Sequence, residues 1–445
     1  MKFGLVFHKN TANLGDDVQA YAQSCFLPHI DYYIDREYIS EFQSKDNEPV
    51  AGIFAAWWMW NKWSWPPSEC IYPLITSFHI TKRNEMQGAS PVFDHFLSGV
   101  GGEYFKSYGP VGGRDIQSVK IFESNKIPCF FSGCLTLTLP KQERTSDAGT
   151  YICLVDVRKD LEDIIRKKAN AAGLEVRTYT HEMKPTHISK PWKRRAETVK
   201  RMLTIYQNAR CVISCRLHVG LPCLAMEVPF FNIMTVPKSK RKSPYQDWFH
   251  NLTIQQILTG DLGFDLVEPP ANTTAYLPVR QALIKQVKEF VAHAERMISI
   301  DEFKKTTYSE YERIVWQNEL MCNALEKWLI YHCDSLEQLQ SLEMKVRESG
   351  RLKAQIGMKL DYLFIEFRNR AIARILKQRA RMRNVALRAE TINIVAHCKN
   401  ALQIDNEAVI NQNKTMKRLL NQWLYYNRNL IKRLLYTQKR VEALR

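Results

Sequence analysis

The run Cys211-Val212-Ile213-Ser214-Cys215-Arg216-Leu217-His218-Val219-Gly220-Leu221-Pro222 decides how this chain folds. Its apolar first half, Cys211–Cys215, predicts a strand buried on both faces, as in a parallel sheet covered by helices. Arg216 and His218 emerge where that strand ends, and Leu221–Glu227 predicts a short helix. Open α/β sheets bind ligands in the crevice beyond the carboxyl ends of their strands. A guanidinium fork beside a titratable imidazole suits a small phosphorylated anion there. A sheet-edge ion pair and one satisfied core histidine would leave the same letters, so other segments have to decide.

Outward from this run, short apolar stretches alternate with amphipathic ones. Tyr151–Val157, Glu175–Tyr179 and Phe230–Met234 read as strands, and 161–172 and 196–209 as helices. Upstream, Phe3–Phe7 opens a similar unit, with Asn13–Asp17 as a loop and a helix over 18–24. The alternation is that of a doubly wound α/β protein. The polar, turn-rich Lys141–Thr150 separates the two units, which predicts Rossmann-like domains over 1–148 and 149–278 facing one another across a cleft. Pro278 is the last proline, and Gly350 and Gly357 are the only glycines after it. Without helix breakers, 279–445 should be all-α. Leu325, Leu329, Leu336, Leu339, Leu342 and Val346, and later Met416 to Leu435, place apolar residues at mixed helical spacings. Such faces want a partner, either one another or a second chain, which predicts a homo-oligomer through these helices.

Of the 445 residues, 63 are basic and 46 acidic, a formal net charge of +17. Residues 351–445 hold 21 Lys/Arg and 6 Asp/Glu, leaving a nearly balanced 42 and 40 before them. Basicity therefore belongs to the tail. Eight basic and no acidic residues lie between Arg368 and Arg388, with Ile372, Ile375 and Leu376 at helical spacing. A basic amphipathic helix suits an anionic membrane surface. A solvated face packed into a dimer is the competing reading, and nucleic-acid binding a weaker third. Liposome flotation against a duplex-DNA shift at matched salt separates them. No apolar run approaches the ~18 residues a membrane span needs, and no signal peptide is expected, so the protein should be cytoplasmic, at most peripheral on the inner face of the membrane.

The eleven scattered cysteines, several in apolar runs, fit reduced buried thiols. Cys211 and Cys215 in one strand lie roughly 13 Å apart, too far for one tetrahedral ion, so no metal is expected.

Three more stretches carry chemistry. In Asn13-Leu14-Gly15-Asp16-Asp17, glycine permits a tight turn, and of two aspartates one can cap a helix while the other faces the cleft as a base. In Gly112-Gly113-Arg114-Asp115, glycines let backbone approach a ligand and the arginine fork onto it; a solvent-exposed turn with a local ion pair is the alternative. Ser132-Gly133-Cys134-Leu135-Thr136-Leu137-Thr138-Leu139 reads as a strand with threonines on one face. Trp57, Trp58, Trp60, Trp63 and Trp65 precede Pro66-Pro67; most suit core packing, with Trp65 the one expected at the surface.

In order along residues 3–235, Asn13-x-Gly15-Asp16-Asp17-x-Gln19, Trp65-Pro66-Pro67, Ser77-Phe78-His79-Ile80, Gly113-Arg114-Asp115, Ser132-Gly133-Cys134-x-Thr136-Leu137-Thr138 and Arg216-Leu217-His218 resemble the polysaccharide pyruvyl transferase family. The resemblance implies a two-domain fold of the GT-B glycosyltransferase type. It also implies phosphoenolpyruvate as donor and a pyruvate ketal placed on a sugar of a surface polysaccharide, such as a capsule, or of its lipid-linked precursor. Arg114, Arg216, Leu217 and His218 would then hold phosphoenolpyruvate, with His218 as acid and Asp16 or Asp17 as base. Asn13, Trp65 and His79 would meet the acceptor, and no cofactor is needed. A nucleotide-sugar glycosyltransferase would share this fold, with Glu227 its one nearby candidate for ribose hydroxyls. A non-catalytic scaffold carrying the basic helices is the other alternative.

Overall fold

The computed structural model describes residues 1–56, 58–59, 64–80, 96–234, 244–321, 414 and 418. The C-terminal helical stretches read from the sequence, the basic run Arg368–Arg388, and Trp57, Trp60 and Trp63 lie outside the described residues. Chain contacts define two compact units. One comprises Met1–Lys82 with Leu97–Thr307, the other Arg83–Phe96 with Tyr308–Arg445. The second is helical from Glu310 to Met321.

The first unit is mixed α/β with parallel sheets. Its elements run β1 (Lys2–Phe7), α1 (Leu14–Ser24), β2 (Tyr32–Asp35), β3 (Val50–Ile53), β4 (Ile71–Leu74), α2 (Gly99–Tyr108), β5 (Val111–Gly113), α3 (Ile116–Ser124), β6 (Cys129–Phe131), β7 (Tyr151–Val155) and α4 (Lys159–Ala171). There follow β8 (Glu175–Tyr179), α5 (Pro185–Ile188), α6 (Trp192–Asn208), β9 (Val212–Ser214), α7 (Leu217–Ala225), β10 (Phe230–Met234), β11 (His250–Thr253), α8 (Ile254–Thr259) and α9 (Leu277–Ala294). One sheet has the order β2-β1-β3-β4 and the other β11-β10-β9-β7-β8, every pair parallel. In both, strand order reverses beside the opening strand, which creates a crevice between β1 and β3 and another between β7 and β9. β5 pairs with β6 and lies along the chain that continues β4, through Gly112 N–H to Ile75 O (2.9 Å) and Arg114 N–H to Phe78 O (2.9 Å).

Central strands are apolar on both faces because helices cover both sides of a parallel sheet; all five residues of β7 are buried. One continuous core contains Phe3, Leu5 and Ile53 from the first sheet, Tyr151, Cys153 and Val212 from the second, and Leu283, Val287 and Phe290 of α9. Cys153, Cys211 and Cys223 are buried in these layers.

Three local readings change. Helix α1 begins at Leu14, because Asn13 caps it by accepting from Gly15 N–H at 3.1 Å, and the acidic pair then fits the dipole of the first turn. Helix α7 begins at Leu217 and is distorted at once. Pro222 has no N–H to give the His218 carbonyl, and His218 sits at non-helical φ −82°, ψ 17°. The expected strand over 132–139 is instead a 3-10 turn, Leu135–Thr138, entered through Gly133 at φ +74°. Thr138 Oγ1 turns back to the Leu135 carbonyl at 2.7 Å, a local bond that competes with strand pairing.

A buried ionic clamp ties the start of α1 to the second half of the unit. Arg195 of α6 donates both Nε (3.1 Å) and Nη2 to the Asp17 carboxylate. Asp17 also meets His187 Nε2 at 2.8 Å. Arg195 further donates to the Lys9 and His8 carbonyls at 2.8 and 2.9 Å. Backbone bonds Leu14 N–H to His181 O (2.8 Å) and Met183 N–H to Ala12 O (2.7 Å) complete the seam. Removing one partner of such a pair strands the other charge in the interior. Asp17→Ala should therefore lose about 3–5 kcal/mol of stability in denaturant unfolding; a loss below about 1 kcal/mol would show the clamp to be dispensable.

Candidate active site

The mouth of the second sheet is built by its strand ends. Ser214, last residue of β9, donates to the Val155 carbonyl (2.8 Å) and accepts from Arg216 N–H (3.0 Å). This fixes Arg216 across the crevice from Asp156, which follows β7. Arg216 Nε donates to Asp156 Oδ2 at 2.8 Å, and Nη2 to Glu182 at 3.3 Å. Asp156, at φ 51°, is held by Thr180 Oγ1 (2.6 Å) and His181 N–H (3.0 Å). Arg216 thus already carries two carboxylates. Glu182 is the loose one, with 82% of its side chain exposed. Asp156 and Glu182 were not anticipated, although an aspartate directly after the apolar run Tyr151–Val155 is the signal that marks a sheet mouth.

The start of α1 lies against the start of α7. A Cβ on Gly15 would stand 2.9 Å from His218 Nδ1 and 3.2 Å from Asn13 Oδ1. Gly15 is therefore needed for close approach inside a helix, not for the turn expected of it. Asn13, Asp16, Arg216, Leu217 and His218 are all partly exposed while most of their neighbours are buried. Asp16 accepts from Thr11 Oγ1 at 2.7 Å and lies 3.6 Å from His8 Nδ1. Burial alone would raise its carboxyl. The nearby His8 imidazole, the Arg36 charge and the Thr11 hydroxyl outweigh this and hold it far below the usual carboxylate range. Asp17, the other expected base, has both oxygens engaged in the clamp.

A second group is wholly buried. Asp115 caps α3 through Ser118 N–H (2.9 Å) and bonds His79 Nδ1. Burial would raise the Asp115 carboxyl, but the His79 hydrogen bond and the charges of His79 and Arg114 keep it low. Arg114 is 0% exposed, which excludes the solvent-exposed turn considered above. Tyr245 donates its hydroxyl to the Arg114 carbonyl. Among the described residues the guanidinium has no hydrogen-bond partner on any of its three nitrogens, and its one ion pair there, to Asp115, is long at 3.9 Å. A buried charge in that state is costly unless it is there to receive an anion. Burial pushes the Cys134 thiol up, and the Arg114 charge offsets only part of that rise. The turn that follows Cys134 packs on both α1 and α7. The Ser132–Thr138 segment thereby links the neighbourhood of the buried arginine to both helices.

Trp65 is a correction. Expected at the surface as an acceptor platform, it is fully buried, stacked on Phe105 at 4.5 Å, with Nε1–H donating to Gly101 O at 3.2 Å. Trp58 stacks on Phe78 in the same cluster. Two prolines beside an indole did not put it outside, because the aromatic residues of α2 offered more apolar area than water does.

Parallel sheets with cations, carboxylates and imidazoles gathered beyond their strand ends define an α/β protein with a polar candidate site. The model of the polysaccharide pyruvyl transferase family matches residues 87–235, a class of transferase acting on saccharides. No curated protein and no solved structure matches the chain. The matched stretch includes Arg114, Arg216, Leu217 and His218; Asn13, Asp16, Asp17, Trp65 and His79 precede it. Among the described residues no helix is long and apolar enough to cross a membrane.

His181 sits behind Arg216, fully buried, with Nε2 at 2.8 Å from the Tyr206 hydroxyl. Burial pushes its pKa from 6.5 down to about 4. The unfolded chain therefore binds a proton that the folded one refuses. Stability should be complete above about pH 6.5 and fall as pH drops towards 4, by at most about 1.4 kcal/mol per unit. Thermal unfolding across that window tests this; His181→Asn should flatten the dependence, and an unchanged slope would contradict it.

Proposed function

We propose that the protein transfers a pyruvyl group from phosphoenolpyruvate to two hydroxyls of a saccharide, forming a ketal, with the site at the contact between α1 and α7. The observation that carries this reading is the approach of Gly15 to His218, which joins the Asn13-x-Gly15-Asp16 and Arg216-Leu217-His218 elements. The Arg216-Leu217-His218 element lies within the family match over 87–235, and the Asn13-x-Gly15-Asp16 element precedes it.

Phosphoenolpyruvate bears a carboxylate and a phosphate on a small frame, so two guanidinium groups are an economical receptor. Arg114, buried without a hydrogen-bond partner, is the prepared one. Arg216 would take the second anionic group by releasing exposed Glu182, while Asp156 keeps its orientation. In this proposal the lobes 1–148 and 149–278 border a GT-B-like cleft, and each lobe supplies one arginine.

The reaction balances as follows. The enol π bond and the carbon–oxygen bond to phosphate break, and two carbon–oxygen bonds form at the same carbon. One hydroxyl proton ends on the methylene, which becomes methyl, and the other leaves with phosphate. His218 protonates the methylene or steadies the phosphate. Asp16, kept ionised, is always ready to accept a proton but is a weak base. A weak base suffices once the methylene is protonated, because the hydroxyl adding to the resulting cation becomes strongly acidic. The proposal extends to a lipid-linked acceptor, with the basic run Arg368–Arg388 on an anionic membrane surface.

In an assay of phosphate release from phosphoenolpyruvate with a mixed glycoside pool, His218→Ala should lose on the order of 10²–10⁴ in turnover. Arg114→Met should weaken phosphoenolpyruvate binding at least about tenfold, the worth of one charge-assisted contact. Full activity in both folded variants would remove the site from this position. Thermal stabilisation by nucleotide sugars and not by phosphoenolpyruvate would favour a glycosyltransferase.

A further inference from the structure

Helix α1 carries a polar face that the reaction above leaves unused. Gly15, Gln19 and Gln23 recur every four residues and so share one side of the helix. At one end of this face, Gly15 backs onto the His218 imidazole. Towards the other, Gln23 Nε2 donates to the Ala55 carbonyl at 3.2 Å. The next carbonyl, that of Ala56, accepts from His79 N–H at 2.9 Å, and His79 bonds Asp115. Gln19 lies midway between these ends. Its side chain is buried (2% exposed), and among the described residues neither its amide nitrogen nor its amide oxygen has a hydrogen-bond partner. Gln23 Oε1 is likewise unmatched. Buried amides are almost always satisfied, and one that is not needs a reason.

We propose that Gln19 is a substrate-binding residue whose amide grips a hydroxyl of the acceptor saccharide, between His218 and the His79–Asp115 pair, with Gln23 Oε1 as a further acceptor. The inference rests on the pyruvyl-transfer reading and assigns its second substrate. Chemistry selects the hydroxyl. A carboxylate or phosphate only accepts hydrogen bonds at neutral pH, so it would match Nε2 and leave Oε1 bare, whereas a hydroxyl both donates and accepts. Arg114, with donors alone, is the complement of the anion. Gln19 and Arg114 thus divide between the two substrates.

The test uses the full chain, with Gln19→Leu and Gln19→Met as variants. Three quantities are read: the thermal midpoint, phosphoenolpyruvate affinity by calorimetry, and affinity for methyl glycosides of galactose, glucose, mannose and N-acetylmannosamine by NMR titration. The thermal midpoint should stay level or rise, because an apolar side chain of similar size leaves no amide unmatched. Phosphoenolpyruvate affinity should stay within about twofold, and glycoside affinity should drop by about tenfold, one lost hydrogen bond to a neutral group. Unchanged glycoside affinity in either folded variant overturns the inference. So does unfolding of both variants, or a wild-type protein that binds phosphoenolpyruvate and none of the glycosides. A wild-type protein that fails to bind phosphoenolpyruvate sinks the pyruvyl-transfer reading itself, and the inference with it.

Discussion

The Asp17–Arg195 ion pair, with His187 on the same carboxylate, is the constraint from which the site follows. It is almost solvent-free, so neither partner can leave without stranding the other, and desolvation makes the pair a device of position more than of net stability. Arg195 also binds the carbonyls of His8 and Lys9. The loop after β1 and the first turn of α1 are thereby fixed to α6, which packs beside the second sheet. Only with α1 so placed does Gly15 meet His218.

The two arginines read from the sequence are in opposite physical states. Arg216 is partly exposed and paired with Asp156 and Glu182. Arg114 is sealed inside with no hydrogen bond on its guanidinium. The first can exchange an exposed carboxylate for a ligand at small cost, since exposed ion pairs are weak. The second has no such alternative partner, and a dry interior makes any anion that reaches it bind strongly. In the proposed reaction this division lets one group steer and the other hold.

Much of the fold was legible because buried parallel strands leave continuous apolar runs; Glu175–Tyr179 and Phe230–Met234 fall where their letters place them. Helix starts were less so. Asn13 and Arg216 each open a helix several residues earlier than periodicity indicates, because a cap and a proline-induced distortion act over a few bonds and leave no hydrophobic pattern. At the site, Arg216, His218, Asn13 and Asp16 could be found as polar letters after strands. The engagement of Asp17 could not, since its partners are some 170 residues away in sequence. Nor could the burial of Trp65, which depends on where α2 packs, or the unmatched amide of Gln19, since its place in the Asn13–Gln19 element shows neither its burial nor its partners.

Gly15→Ala tests the union of the two elements most directly. The added methyl would stand 2.9 Å from His218 Nδ1, closer than carbon and nitrogen tolerate. The helix itself gains from alanine. The account predicts a folded variant whose thermal midpoint is near that of the wild type and whose phosphoenolpyruvate-dependent phosphate release is lost. Full release from the folded Gly15→Ala protein would contradict it, because chemistry would then be proceeding without the close packing of α1 on His218.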